Sequence, residues 1–300
     1  MTDTATTEAQ VPGVTTPIDD SAATPPAVRQ AAGFYHDKAR RDVDAAIENF
    51  LVEPFSYVDA TLGAEFPTRE VLRGLLSQGL PTWPEGANSY MTRVLGDENS
   101  AIVYFTNDPG IFFPADMRAV SAVNFVNGKI ARWIDYWDAN HIGAVNLEGA
   151  RHPQEEFPAD FGESKVGETG TALIQKIATT LDTALAAHDA QGAAALFAPD
   201  ATFTDLPGHV RVTGPRHILS FLTAAQGTLP YLGHGVRIRH ILGGDLGGGY
   251  EWTANGTVKR GITAIKLDGN GKITSLEAMW DGSLLDDEAL LSMAKAAIER

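Results

Sequence analysis

Cysteine is absent from the 300 residues. That excludes a disulfide framework, a thiolate metal site and a cysteine nucleophile, and it fits the reducing cytoplasm, where the protein is expected. Positive charge is scarce, with 23 Lys and Arg against 38 Asp and Glu and a net charge of −15. Phosphate backbones and anionic bilayers need clustered cations, so neither nucleic acid nor membrane is an expected partner. No apolar run approaches the roughly 18 residues that a spanning helix requires. No serine elbow and no cofactor fingerprint occur. The glycine-rich stretch 243–249 lacks the Lys-Ser/Thr ending of a phosphate loop and reads as a long, mobile hairpin. Histidines 36, 141, 209, 217, 234 and 240 are scattered without metal-ligand spacing on one helix. Neither a metal nor another cofactor is expected.

What the chain does contain is a unit written twice. Residues 130–138, Ile-Ala-Arg-Trp-Ile-Asp-Tyr-Trp-Asp, return as residues 273–281, Ile-Thr-Ser-Leu-Glu-Ala-Met-Trp-Asp. Each copy follows a Gly-Lys turn (Gly128-Lys129, Gly271-Lys272) and an alternating apolar run (residues 119–126 and 261–267). Alternating runs joined by Asn-Gly or Gly-Asn-Gly predict a β-hairpin, because those residues tolerate the positive φ of hairpin turns. Three hundred residues with 44% hydrophobic content suit two domains, each with its own core.

Residues 1–27 are rich in Thr, Ala, Pro and Asp, lack a signal-peptide pattern, and read as a disordered tail. A first domain is expected over 28–142, a linker over 143–169 and a second domain over 170–300. In each domain two helices precede a strand (55–59; 201–205), a short helix (69–76; 215–222) and a meander of antiparallel strands (90–95, 101–106, 118–126; 236–242, 249–253, 258–267). Pro67-Thr68 predicts the cap of the first short helix. A C-terminal amphipathic helix, 286–298, belongs to the second copy alone. This order predicts an α+β class: two cone-shaped barrels in tandem, each a curved antiparallel sheet with helices on its concave face and a small-molecule pocket at its mouth.

Three stretches in the same order, twice over, resemble the nuclear transport factor 2-like superfamily, and within it the SnoaL-like polyketide cyclases and ketosteroid isomerases. They are Tyr57-Val-Asp59 to Gly63 and Phe203-Thr-Asp205 to Gly208; Arg69-Glu-Val-Leu and Arg216-His-Ile-Leu; and the closing strands ending in Trp137-Asp138 and Trp280-Asp281. The resemblance implies a general acid/base carboxylate at Asp59 and at Asp205. It also puts the acid/base Asp of SnoaL-like cyclases in the region of Asp138 and Asp281, which makes both of them further catalytic candidates. Glu85, in the Trp83-Pro84-Glu85-Gly86 loop, is expected to face Asp59, as in the Asp–Glu pair of epoxide-opening cyclases of polyether biosynthesis. The matching loop of the second copy has no carboxylate and offers Tyr231 and His234. Substrate contacts are expected from Tyr35, Tyr57, Trp83, Arg118, Trp137, Phe203, Tyr231, His234 and Trp280. The isomerase family's neutral Asp falls at about Ser121 and Thr263, a departure from that family. The expected function is cofactor-free acid/base cyclisation of a hydrophobic polyketide-like molecule by epoxide opening, with the two domains packed as an internal pseudo-dimer and further homo-oligomerisation left open. An aldol-type ring cyclase or double-bond isomerase, and a non-catalytic binding module, are the alternatives.

Overall fold

The computed structural model describes residues 9–233 and 235–298. Helix α1 (Pro25–Ala39) begins where the Thr24 hydroxyl accepts from the Ala27 N–H, with proline in its first turn. There a missing N–H costs nothing. Asp42 caps α2 (Val43–Glu48) and Thr68 caps α3 (Arg69–Gly79), each accepting from the N–H three residues on. The buried stripe of α1 runs through Val28, Ala31, Phe34, Tyr35 and Lys38 and lies against a seven-stranded sheet.

The strands of that sheet are β1 (Asp19–Ala23), β2 (Ser56–Asp59), β3 (Ala64–Phe66), β4 (Ser89–Gly96), β5 (Ser100–Asn107), β6 (Met117–Val126) and β7 (Lys129–Trp137), in the order β1-β4-β5-β6-β7-β2-β3. Asn127 and Gly128 both take positive φ, 51° and 76°, making the tight β6–β7 hairpin that their identities predict. Strand β2 runs parallel to β7, which sets Asp59 beside Asp135.

The second half repeats the plan. Helices α4 (Ala172–Ala186), α5 (Ala190–Ala194) and α6 (Pro215–Ala224) accompany β8 (Phe197–Asp205), β9 (Val210–Thr213), β10 (Arg237–Gly243), β11 (Gly247–Thr253), β12 (Arg260–Leu267) and β13 (Ile273–Trp280). Their order, β10-β11-β12-β13-β8-β9, is that of the first sheet without β1, and β8 is again parallel to β13. Helix α7 (Asp287–Ala296) buries Met293 in the second core. The architecture is α+β, with two sheets of six and seven strands and helices against each.

Alternation assigns every sheet two faces. Trp133, Asp135 and Trp137 of β7 point to the helix side, whereas Arg132, Ile134 and Tyr136 point to the other sheet. The sheets stack through these outer faces: Val58, Ile102, Val120, Ala122 and Ile134 of the first meet Leu242, Ile262, Ala264 and Met279 of the second. Polar pairs cross the same interface. Arg132 and Glu251 form an ion pair at 2.7 Å, both fully buried, and the Tyr136 hydroxyl donates to Glu251 at 2.7 Å.

Three expectations need correction. Residues 1–8 of the expected tail lie outside the described residues, but Ala9, Val11 and Ile18 are buried in the first core and residues 19–23 form β1. Small residues suffice there because β1 joins an existing edge, parallel to β4, and its Ala22 fills a shallow gap between the sheets. Residues 143–169 are a packed strap rather than a plain linker. Phe157 and Phe161 enter the inter-sheet cluster beneath the guanidinium groups of Arg260 (4.1 Å) and Arg239 (3.8 Å).

Third, the glycines at 243–249 form a tight β10–β11 turn, not a long hairpin, and Gly247, Gly248 and Gly249 are buried in β11. Gly249 has φ +153°, and a Cβ there would run into the Thr263 carbonyl and Ile102 of the facing sheet. Gly249→Ala is therefore expected to lower unfolding stability by about 2–3 kcal/mol. Urea denaturation checks this; a loss under about 0.5 kcal/mol would refute the close-approach argument.

Candidate active site

The concave side of the first sheet encloses a cavity of about 170 Å³. Its walls are mostly apolar, with Phe34, Phe66, Leu72, Leu76, Phe105 and Met117 among them, and Phe112, half exposed, stands against Trp83. Into this wall are set Asp59, Asp135, Tyr57, Lys38, Trp83 and Asn107.

Asp59 ends β2 and turns the chain. Its Oδ1 accepts from the N–H groups of Thr61 (2.9 Å) and Leu62 (2.8 Å), and its Oδ2 accepts from Trp137 Nε1 (3.0 Å). Burial, then the neighbouring Asp135 charge, push its pKa up to about 7, against the lowering effect of those donors. Asp135 accepts three side-chain donors: Tyr57 Oη (2.9 Å) on Oδ2, and Ser121 Oγ (2.6 Å) and Trp133 Nε1 (2.6 Å) on Oδ1. Burial raises its pKa as well, opposed by those donors and by the Lys38 charge. Lys38 is 7% exposed, held by one hydrogen bond to Ser89 Oγ (2.9 Å) and lying 4.3 and 4.4 Å from the ring centres of Phe34 and Tyr35. Burial lowers its pKa to about 7, opposed by Asp135.

Two carboxyl groups so close cannot both ionise freely, and they titrate as a pair. Each accepts three donors, but the Lys38 charge acts on Asp135, which favours leaving the shared proton on Asp59 near neutrality. One wall of the cavity thus carries a proton donor beside a carboxylate. Trp83 Nε1 and Asn107 Oδ1, both buried, have no hydrogen-bond partner among the described residues. Among the described residues no three His, Asp or Glu side chains converge as a metal site would require.

Of the expected site residues, the structure brings Asp59, Tyr57, Trp83 and Trp137 together. Tyr35 is fully buried behind them, its hydroxyl unpartnered. Glu85 is exposed and outside the cavity wall, because the turn over 84–86 points it to solvent; Asp135 holds the position expected of it. Arg118 is also outward, paired with Asp116 on the surface. Asp138 and Asp281 lie between the halves, where each accepts a backbone N–H from the opposite closing segment: Gly282 N to Asp138, and Ala139 N to Asp281. Asp281 is also bound to Arg151 of the strap. These two acids fasten the halves together and do not face either cone.

The second cone lacks the pair. Asp205 accepts from Tyr231 Oη (2.8 Å), Trp280 Nε1 (3.0 Å) and Gly208 N (2.7 Å), and it is fully enclosed with Phe203 beside it. Burial raises its pKa. Its partner across the ladder is Ala278, where the first copy has Asp135. The buried face of α4 is Ile174, Ile177, Ala178, Leu181 and Leu185, with no cation. Asp205 is thus buried and tied by Tyr231 and Trp280, with no second carboxyl beside it in the ladder; His234 lies outside the described residues.

Asp135 and Lys38 were legible by periodicity. Asp135 has the same strand parity as Trp133 and Trp137, and Lys38 falls on the apolar stripe of α1, three and four residues after Tyr35 and Phe34. A charge on an apolar stripe is the signal.

Fold and site together define an α+β protein whose two halves share one plan and whose first half holds a buried carboxyl pair. Residues 178–276 match the model of the SnoaL-like domain. No curated protein matches the chain. Similar solved structures include a steroid delta-isomerase from Pseudomonas aeruginosa, with 18% identity over 44% of this chain and 93% of that one at a TM-score of 0.34. An M. tuberculosis LEH-like epoxide hydrolase shows 21% identity over 42% and 95% at 0.32. A putative ketosteroid isomerase from Kribbella flavida shows 17% over 45% and 96% at 0.32. No helix among the described residues is long and apolar enough to cross a membrane.

Proposed function

We propose that the first half is an acid/base enzyme acting on an apolar small molecule, and that its reaction is the opening of an epoxide by a hydroxyl of the same substrate. The observation that carries this reading is the Asp59–Asp135 pair on one wall of an apolar cavity, with the Lys38 charge acting on Asp135. Epoxide opening needs a proton for the oxygen that leaves carbon and a base for the attacking hydroxyl at the same moment. Asp59, protonated near neutrality, delivers the first. Asp135 takes the hydroxyl proton through Oδ2, which accepts only Tyr57 from the protein. The unpartnered Trp83 and Asn107 atoms suit a substrate oxygen that both accepts and donates. At about 170 Å³ the cavity holds the reacting end of a chain, with the remainder passing Phe112 at the rim.

Incubation with an epoxide-bearing hydroxy-polyketide analogue tests this. Wild type is expected to form the cyclic ether. Asp135→Asn is expected to lose at least about a hundredfold in rate. Asp205→Asn is expected to keep the rate while losing about 1–3 kcal/mol of stability, since an amide oxygen that serves Tyr231 and Trp280 turns its NH2 toward the Gly208 N–H and leaves that donor without an acceptor. Binding of the analogue without conversion by wild type would overturn epoxide opening; exchange of a substrate C–H with solvent deuterium would then support an isomerase or aldol-type cyclase.

A further inference from the structure

Lys38 has no part in epoxide opening, yet its placement is unusual. Long charged side chains ordinarily carry their heads to water. Here the amine ends inside the cavity wall that also holds Asp59 and Asp135, surrounded by Phe34, Tyr35 and Phe105, with the Ser89 hydroxyl as its hydrogen-bonded partner. A lysine in such a place is what amine catalysis uses, because desolvation leaves a lone pair available near neutral pH.

We propose that Lys38 captures aldehydes and ketones as an imine in the first cone, a second reactivity independent of epoxide opening. The Nζ lone pair attacks the carbonyl carbon, a C–N bond forms, and the carbonyl oxygen takes the proton that the nitrogen gives up. The Asp59 carboxyl then protonates that hydroxyl, the C–O bond breaks, water leaves, and the nitrogen lone pair closes the C=N bond. The remaining N–H proton returns to Asp59, so the sum is amine plus carbonyl to imine plus water. No oxidant, reductant or further reactant is needed. The lowering of the Lys38 pKa to about 7 by burial supports this, since the amine is then substantially neutral at physiological pH. A surface lysine, with a pKa near 10.4, is about a thousandfold less so.

The ligands favoured are apolar carbonyl compounds slim enough for the cavity. The test is reductive trapping: the full chain is incubated at pH 7 with hexanal and cyanoborohydride, followed by intact mass and peptide mapping. One adduct on Lys38, formed at least about tenfold faster than on any other lysine, is the expected result. Lys38→Met, which keeps the side-chain length and removes a buried charge, is expected to abolish that adduct. Labelling spread over surface amines, or an unchanged total in Lys38→Met, would overturn the proposal. Should Lys38→Met fail to fold, the wild-type peptide map alone decides, because it locates the adduct.

Discussion

Asp59→Asn is expected to lower epoxide turnover by about 10²–10⁴ while the protein remains folded. The amide keeps the Oδ1 contacts to Thr61 and Leu62 that shape the turn, and loses the carboxyl proton together with a good acceptor for Trp137. The pH profile carries the sign. As a general acid, Asp59 works protonated, so the rate is expected to fall as pH rises through about 7, and to fall again in acid as the Asp135 base takes up its proton. A carbon-acid reaction, in which Asp59 is the base, predicts the opposite limb. A rate that rises through pH 7 would remove Asp59 as the acid, and a wild-type rate in Asp59→Asn would remove it from the reaction altogether. Stability follows the same proton. The folded pKa of about 7 lies above the ordinary 3.8, so the folded chain retains a proton that the unfolded chain releases. Stability from this group is present at low pH and declines as pH rises from about 4 to 7. The variant should lack that decline.

The fold was readable because its signals are periodic and repeated. The Asn127-Gly128 hairpin, the Thr68 cap and the two closing strands each rest on local chemistry that the surrounding protein reinforces. Strands β1 and β9 escaped for opposite reasons. In β1 the residues Asp-Asp-Ser-Ala-Ala have no strand preference, and pairing with β4 overrides it. In β9, four residues, Val210–Thr213, are too short for a pattern. Asp59 could be found because resemblance pointed at its position. Glu85 was misjudged because a loop's direction is set by tertiary packing and not by its own residues. The Asp138 and Asp281 clasp joins residues more than 140 apart in sequence, and no local pattern announces such a pairing. The absence of a carboxyl pair in the second cone, in contrast, rests on one register position: Ala278 where the first sheet has Asp135.

Arg132→Met is expected to destabilise the protein by about 3–5 kcal/mol, because it leaves Glu251 buried between the sheets without its ion-pair partner. Burial by itself would raise the Glu251 pKa; the Arg132 charge outweighs it and holds the group below its ordinary value. The wild-type pair therefore contributes stability above the unfolded carboxyl range and loses it as pH falls into acid. Without Arg132 the sign reverses: Glu251 favours its proton in the folded state, and the variant weakens as pH rises past about 4. The gap between the two proteins should consequently be small near pH 4 and widest at pH 8. Arg132→Met combined with Glu251→Leu is expected to recover part of the loss, since no charge is then left unpaired, less about 1 kcal/mol for each group left without its partner: the Tyr136 hydroxyl, the Phe161 carbonyl and Asn124 Oδ1. Urea unfolding of the four proteins across pH isolates the pair term. A single-variant loss below about 1 kcal/mol, or a gap that does not change with pH, would mean that the buried pair contributes nothing to the union of the halves, which would then rest on their apolar faces and the Asp138–Asp281 clasp.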